Sequence, residues 1–201
     1  MSAPADPRAE LAAIARDFHA RGWMPGTAGN LSARVGDAFW VTASGRSKGR
    51  LTDEDFVLVG LDGRVRRILS GRKPSAETSL HAAVYGLDRA AGACLHVHSV
   101  AACVVSGTVR GPILRLPAIE MIKAFDVQGQ KPVVDLPLFE NHADVSQIAS
   151  DVRRVFGMHP PALSAFLVRD HGATVWGADI EQAYNRVEAL EFLLEYFERS
   201  H

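Results

Sequence analysis

The chain has 201 residues, 47% of them hydrophobic, enough for one domain spanning residues 1–201 with a sizeable core. Its 22 basic and 23 acidic side chains nearly cancel, and neither sign forms a long block. That argues against nucleic-acid or membrane-surface partners and toward a small-molecule one.

MSAPADPRAE lacks a basic stretch followed by an apolar one, and no run approaches the roughly eighteen apolar residues of a membrane span, so a cytoplasmic protein is expected. Cys94 and Cys103 are then expected as free, packed thiols. Asp6 and Pro7 open a helix whose apolar face is Leu11, Ile14, Ala15 and Phe18, stopped by Gly22. PGTAGNLSAR reads as a turn-rich stretch, DAFWVTASG as a strand, and FVLVGLDGRVRRIL as a hairpin around Asp62-Gly63. RKPSAETSLHAAVYGL returns to helical spacing at Ala76, Leu80, Ala83, Val84 and Leu87, with Ser75 as its cap.

The alternation in ACLHVHS predicts a strand, which puts His96 and His98 on one face and Leu95 and Val97 on the other. In a helix the two rings would diverge by about 200° and could not meet one ion. Pro112, Pro117, Pro132 and Pro137 divide the next segment, within which PAIEMIKAF spaces Ile119, Ile122 and Phe125 as a short helix. ASDVRRVFG reads as helix and SAFLVRDHGATVWG as two strands joined at Asp170-His171-Gly172. Asp179 and Gln182 cap a final helix with Ile180, Ala183, Tyr184, Val187, Leu190, Leu194 and Phe197 as its buried stripe. The expected fold is mixed α/β, with helices covering a central sheet.

His171, at a tight turn, is the best third ligand to join His96 and His98. Three histidines with an open position suit a catalytic divalent metal, most often zinc. Spacing alone leaves open the alternative that these are packed polar residues satisfied by backbone groups. His19, His81, His142, His159 and His201 read as surface or capping residues. GTAGNLSAR, TASGRSKG and KPSAE are small-residue loops with free backbone donors, which could converge on a phosphate beside Arg46, Lys48 and Lys73. Glu77 lies in a first helical turn, where an acid also balances the helix dipole. Glu120 lies between Ile119 and Met121, where partial burial would raise its pKa and suit it to acid/base work.

GTAGNLS, TASGRSKG, KPSAETSLH, LHVHS and LVRDHGATVWG, in this order from about Leu11 to Phe197, resemble the class II aldolase and adducin-head family. The resemblance implies a single α/β/α domain with a central, mostly antiparallel sheet covered by helices, usually a homotetramer with sites between subunits. It implies one Zn2+ per subunit on His96, His98 and His171. Within the family, PAIEMIKAF, FENHAD and DHGATVWG are most similar to dehydratases of methionine salvage that remove water from 5-methylthioribulose 1-phosphate. That similarity puts the catalytic acid/base on Glu120 and substrate or phosphate contacts on Asn30, Ser44, Gly45 and Ser75, with Gly29, Lys48 and Glu77 beside them. Met121, Ile122 or Phe139 would line the methylthio slot.

Two other activities stay open. Family aldolases use a glutamate at the position of Glu77, which keeps a sugar-phosphate aldolase or epimerase in view, although a further tail of the kind that brings a tyrosine over a neighbouring site in some family aldolases is not expected after the last helix. Adducin heads resemble this fold without being enzymes, but have no need of an open metal position.

Overall fold

Alternating apolar residues along the central strands divide the core into two layers. In a computed structural model that describes residues 6–68, 71–129 and 132–200, the first half of the chain comprises α1 (Arg8–Ala20), β1 (Asn30–Val35), β2 (Ala38–Thr42), β3 (Phe56–Gly60), β4 (Val65–Ile68), α2 (Thr78–Leu87) and β5 (Ala93–Val97). The second half comprises α3 (Val100–Thr108), β6 (Ile113–Leu116), β7 (Val134–Phe139), α4 (Val145–Met158), β8 (Ala165–Val168), β9 (Gly172–Gly177) and α5 (Ile180–Ser200). Among the described residues the strands form one nine-stranded sheet, β4-β3-β2-β1-β5-β9-β8-β7-β6, whose pairs are antiparallel except β7 with β8.

Leu95, Val97, Ala173 and Val175 face a core shared with α1, α3 and α5. Cys94, Phe166, Val168 and Trp176 face the other, shared with α2 and α4. The sheet is therefore covered on both sides, as expected, and the side of α2 is the one that receives His96. The edge strand β4, VRRI, whose four residues are all exposed, carries two arginines that discourage pairing with another chain. Cys94 and Cys103 are free thiols, and no described helix is long and apolar enough to cross a membrane.

Several expectations need correction. GTAGNLSAR is not all loop, because Asn30 opens β1, a strand buried between β2 and β5. The helix at KPSAE begins at Thr78, so Ser75 caps the turn before it, its hydroxyl accepting the Glu77 N–H at 3.3 Å. PAIEMIKAF forms a 3-10 turn over Glu120–Phe125 rather than an α-helix. α3, β6 and β7 carry no expectation from the pattern. β7 tolerates Pro137 because Leu138 donates to Pro112 O, so alternation turns the proline nitrogen away from β6, toward a side where pairing with β8 starts only at Leu138. Leu69 of the expected hairpin lies outside the described residues.

Candidate metal centre

Three segments meet at the C-terminal end of β5. His96 stands opposite Asn30 of β1 and Thr174 of β9, while His98 lies just past the strand and donates its backbone N–H to Trp23 O at 2.8 Å. His171 occupies the turn from β8 to β9, after Asp170 in the left-handed region at φ 52°. Glu77 sits at the N-cap position of α2. Two glycines let neighbouring backbone approach this closely. A Cβ on Gly29, at φ 77°, would lie 2.7 Å from His96 O, and one on Gly172 would lie 2.1 Å from Val97 O.

The Nε2 atoms of His96 and His98 are 2.9 Å apart, and Glu77 Oε1 lies 2.7 Å from His171 Nε2, 3.2 Å from His96 Nε2 and 3.7 Å from His98 Nε2. All four ligand atoms fall within 4.8 Å of one another. Ring lone pairs and a carboxylate oxygen facing each other repel unless a proton or cation lies among them. Burial alone would raise the Glu77 carboxyl, but the charge of His96 and bonds to His171, His96 and His98 outweigh it and hold Glu77 well below the usual carboxylate range. Burial also pushes His98 down, toward the neutral form a metal needs.

Outer partners orient two of the rings. His171 Nδ1 is 3.2 Å from Asn141 Oδ1, an atom that only accepts, so Nδ1–H donates and Nε2 is left to face either a metal or a proton shared with Glu77 Oε1. His96 Nδ1 is 2.9 Å from Thr174 Oγ1. This arrangement, in which the far nitrogens of two of the three ligand histidines are tied, fits a divalent metal. Neither Asn141 nor Thr174 is singled out by sequence pattern. Thr174 could have been found as the one polar side chain in ATVW on the face of His96, whereas Asn141 lies in a loop without periodicity. Thr174→Val keeps the shape and removes that partner, so metal affinity should fall about 10–100-fold in a chelator competition.

His81 is not a surface residue. It is fully buried one helical turn after Glu77, and burial pushes it down to about 3, so it is neutral. Its Nδ1 is 2.6 Å from Ser32 Oγ, which is 2.8 Å from Tyr85 OH. Asn30 and Ser32 alternate along β1 as Glu77 and His81 recur along α2, forming two parallel rungs. The first rung is the Asn30 amide donating to Glu77 Oε2. Asn30 Oδ1 and His81 Nε2 are buried with no partner among the described residues.

The three small-residue loops do come together. Ser44 N–H donates to Lys73 O at 2.9 Å, and Lys48 N–H to Gly26 O at 2.9 Å. Lys48 is buried, with Nζ donating to Thr27 O at 2.7 Å and Arg46 O at 3.2 Å, and burial pushes it down to about 8. Ser44 and Gly45 are exposed, Ser75 is half-buried, and Gly29 and Asn30 are buried beneath them.

Glu120 departs from expectation. It is 83% exposed and bonded to Lys123 Nζ at 2.7 Å, which holds its carboxyl below the usual range instead of above it. It is not among the converging ligand groups, and it lines a cleft of about 260 Å³ with Ile119, Lys123, Gly129 and Pro132. Of the three residues expected at a methylthio slot, Ile122 and Phe139 are buried in the core and Met121 is exposed.

The sequence profile described as the class II aldolase and adducin N-terminal domain matches residues 9–197. The chain belongs to the class II aldolase and adducin family. Within this family, the methylthioribulose-1-phosphate dehydratase of Microcystis aeruginosa is 48% identical over 193 residues, 95% of this chain and 94% of that protein. The enzyme of that name from Leptospira biflexa is 41% identical, covering 94% of this chain and 95% of its own. The L-fuculose-1-phosphate aldolase of Thermus thermophilus superposes with a TM-score of 0.76 at 26% identity, over 97% of this chain and 94% of the other. For a class II aldolase family member, the buried glutamate and three histidines point to a divalent metal.

Proposed function

We propose that the chain is a zinc-dependent hydro-lyase that converts 5-methylthioribulose 1-phosphate to 2,3-diketo-5-methylthiopentyl 1-phosphate, a step of methionine salvage. The observation that carries this reading is the convergence of Glu77, His96, His98 and His171 in a chain 48% identical to an enzyme of that name. We further propose a cytoplasmic homotetramer, each subunit one domain over residues 1–201 with one zinc ion.

A zinc ion held by the three histidines supplies Lewis-acid polarisation of substrate oxygens. Glu120, kept ionised by Lys123, takes the proton from C3. The same carboxyl returns it to the C4 hydroxyl, which departs as water, and the enol left behind ketonises. Ser44, Gly45 and Ser75 present hydroxyls and backbone donors to the phosphate, with Gly29, Asn30 and Lys48 shaping the floor of that site. Met121 is the exposed apolar side chain offered to the methylthio group.

A second reading is favoured by one observation. Glu77, not Glu120, touches the histidines, as an acid/base of a sugar-phosphate aldolase or epimerase would. Metal-loaded protein incubated with 5-methylthioribulose 1-phosphate, beside a chelated control, separates the two. A product lighter by one water, formed only with metal, is expected. Unchanged substrate, together with carbon-carbon cleavage of another phosphoketose, would overturn the dehydratase in favour of the aldolase.

A further inference from the structure

One guanidinium joins the two segments that set the ring of His171. Arg169 follows β8, two residues before that histidine. Its Nε lies 3.0 and 3.1 Å from the two carboxylate oxygens of Glu140. Nη1 donates to Ser106 O at 2.8 Å and Val109 O at 2.7 Å, and Nη2 to Gly111 O at 3.0 Å. These carbonyls belong to the last turn of α3 and the chain leaving it, where helix carbonyls lack intrahelical donors. The Arg169 backbone N–H also donates to Phe139 O at 2.9 Å.

Both segments lead to His171. Asn141, which follows Glu140, accepts from the histidine's Nδ1–H. From α3, Ser106 Oγ accepts the Asp170 N–H at 3.0 Å and Cys103 Sγ donates to His171 O at 3.2 Å. Gly107 leaves room for the Asp170 carboxylate, since a Cβ there would lie 2.3 Å from Asp170 Oδ1. These contacts brace a non-glycine residue in the left-handed region immediately before the metal-facing ring.

We infer that Arg169 is a positioning residue for the metal centre. By tying Glu140 to the end of α3, it fixes both the partner of the His171 ring and the backbone turn that presents it, so that Nε2 stays aimed at the metal. The inference rests on the metal reading above. A lysine cannot do this work, because a point charge on a flexible stem does not span a carboxylate and three carbonyls at once. Glu140 is 64% exposed and Arg169 19%, so losing the carboxylate end of the pair should cost little global stability and appear at the metal, whereas losing the guanidinium also frees three carbonyls.

The test uses cobalt(II) as the probe, titrated into wild type, Arg169→Lys, Glu140→Ala, Asn141→Ala and the Arg169→Lys/Asn141→Ala double variant, followed by visible absorption and chelator competition. Arg169→Lys and Asn141→Ala should each weaken cobalt binding about 10–100-fold and alter the absorption band, with metal-free thermal unfolding nearly unchanged in Asn141→Ala and lowered in Arg169→Lys by the carbonyls it leaves unpaired. The double variant should be no weaker than the worse single one, because both act through the same ring. Unchanged cobalt affinity in folded Arg169→Lys, or fully additive losses, would overturn the inference. If Arg169→Lys does not fold, Glu140→Ala cuts the same tie from an exposed position, and wild-type affinity there overturns it equally. Wild-type protein that takes up no cobalt would overturn the metal reading itself.

Discussion

His96→Ala is expected to abolish metal uptake and turnover together. The ring is fully buried in the middle strand of the sheet, its Nε2 among the other ligand atoms and its Nδ1 on Thr174, so no neighbouring side chain can take its place. Lewis-acid stabilisation contributes several kcal/mol to a transition state, so turnover should fall on the order of 10³-fold or more. Metal content of the purified variant and its rate on 5-methylthioribulose 1-phosphate check this side by side. His98→Ala, at a partly exposed ligand, repeats the experiment with less disturbance of the core. Retention of both metal and rate in either variant would sink the proposed centre.

Glu120→Gln should show the opposite division. The carboxylate touches none of the converging histidines, so metal content should stay at the wild-type level. Removing a general base should lower kcat by roughly 10²–10⁴-fold. Glu77→Gln, by contrast, disturbs contacts to three ligand rings and should weaken metal binding, with turnover recovering as metal is raised to saturation. A fully active Glu120→Gln protein would remove Glu120 from the chemistry. A Glu77→Gln protein that stays inactive at saturating metal would transfer the acid/base role to Glu77, as the second reading requires.

The parts of the site that were legible in the sequence are those with a period. ACLHVHS alternates, so the shared face of His96 and His98 followed from strand geometry alone, and DHG between two apolar runs placed His171 at a turn. Asp179 and Gln182 were readable as a cap, and in the structure Asp179 Oδ1 accepts the Gln182 N–H at 2.7 Å while Gln182 Oε1 accepts the Ala178 N–H at 2.8 Å. β1 was not legible, because Asn30 and Ser32 are polar residues buried toward α2, where their partners Glu77 and His81 come from residues 47 and 49 positions away. α3 was hidden by its valines, and its start depends on a cap, Ser99 Oγ accepting from Ala102 N–H at 3.0 Å. Glu120 misled because two apolar neighbours in sequence do not imply burial in a 3-10 turn, whose next residue but two, Lys123, reaches back to it.

β5 is paired along both edges and sandwiched between two apolar layers. Its amides should belong to the slowest hydrogen-exchanging unit of the protein, which opens only when the whole sheet does. Small zinc modules spend their coordination energy on folding, and collapse when chelated. Here the ligands hang on a sheet with two apolar layers of its own, so a metal should add only the increment set by its concentration over its dissociation constant. Three histidines and a carboxylate also accept iron, cobalt or manganese, so cellular supply as well as ligand chemistry decides which ion such a socket holds.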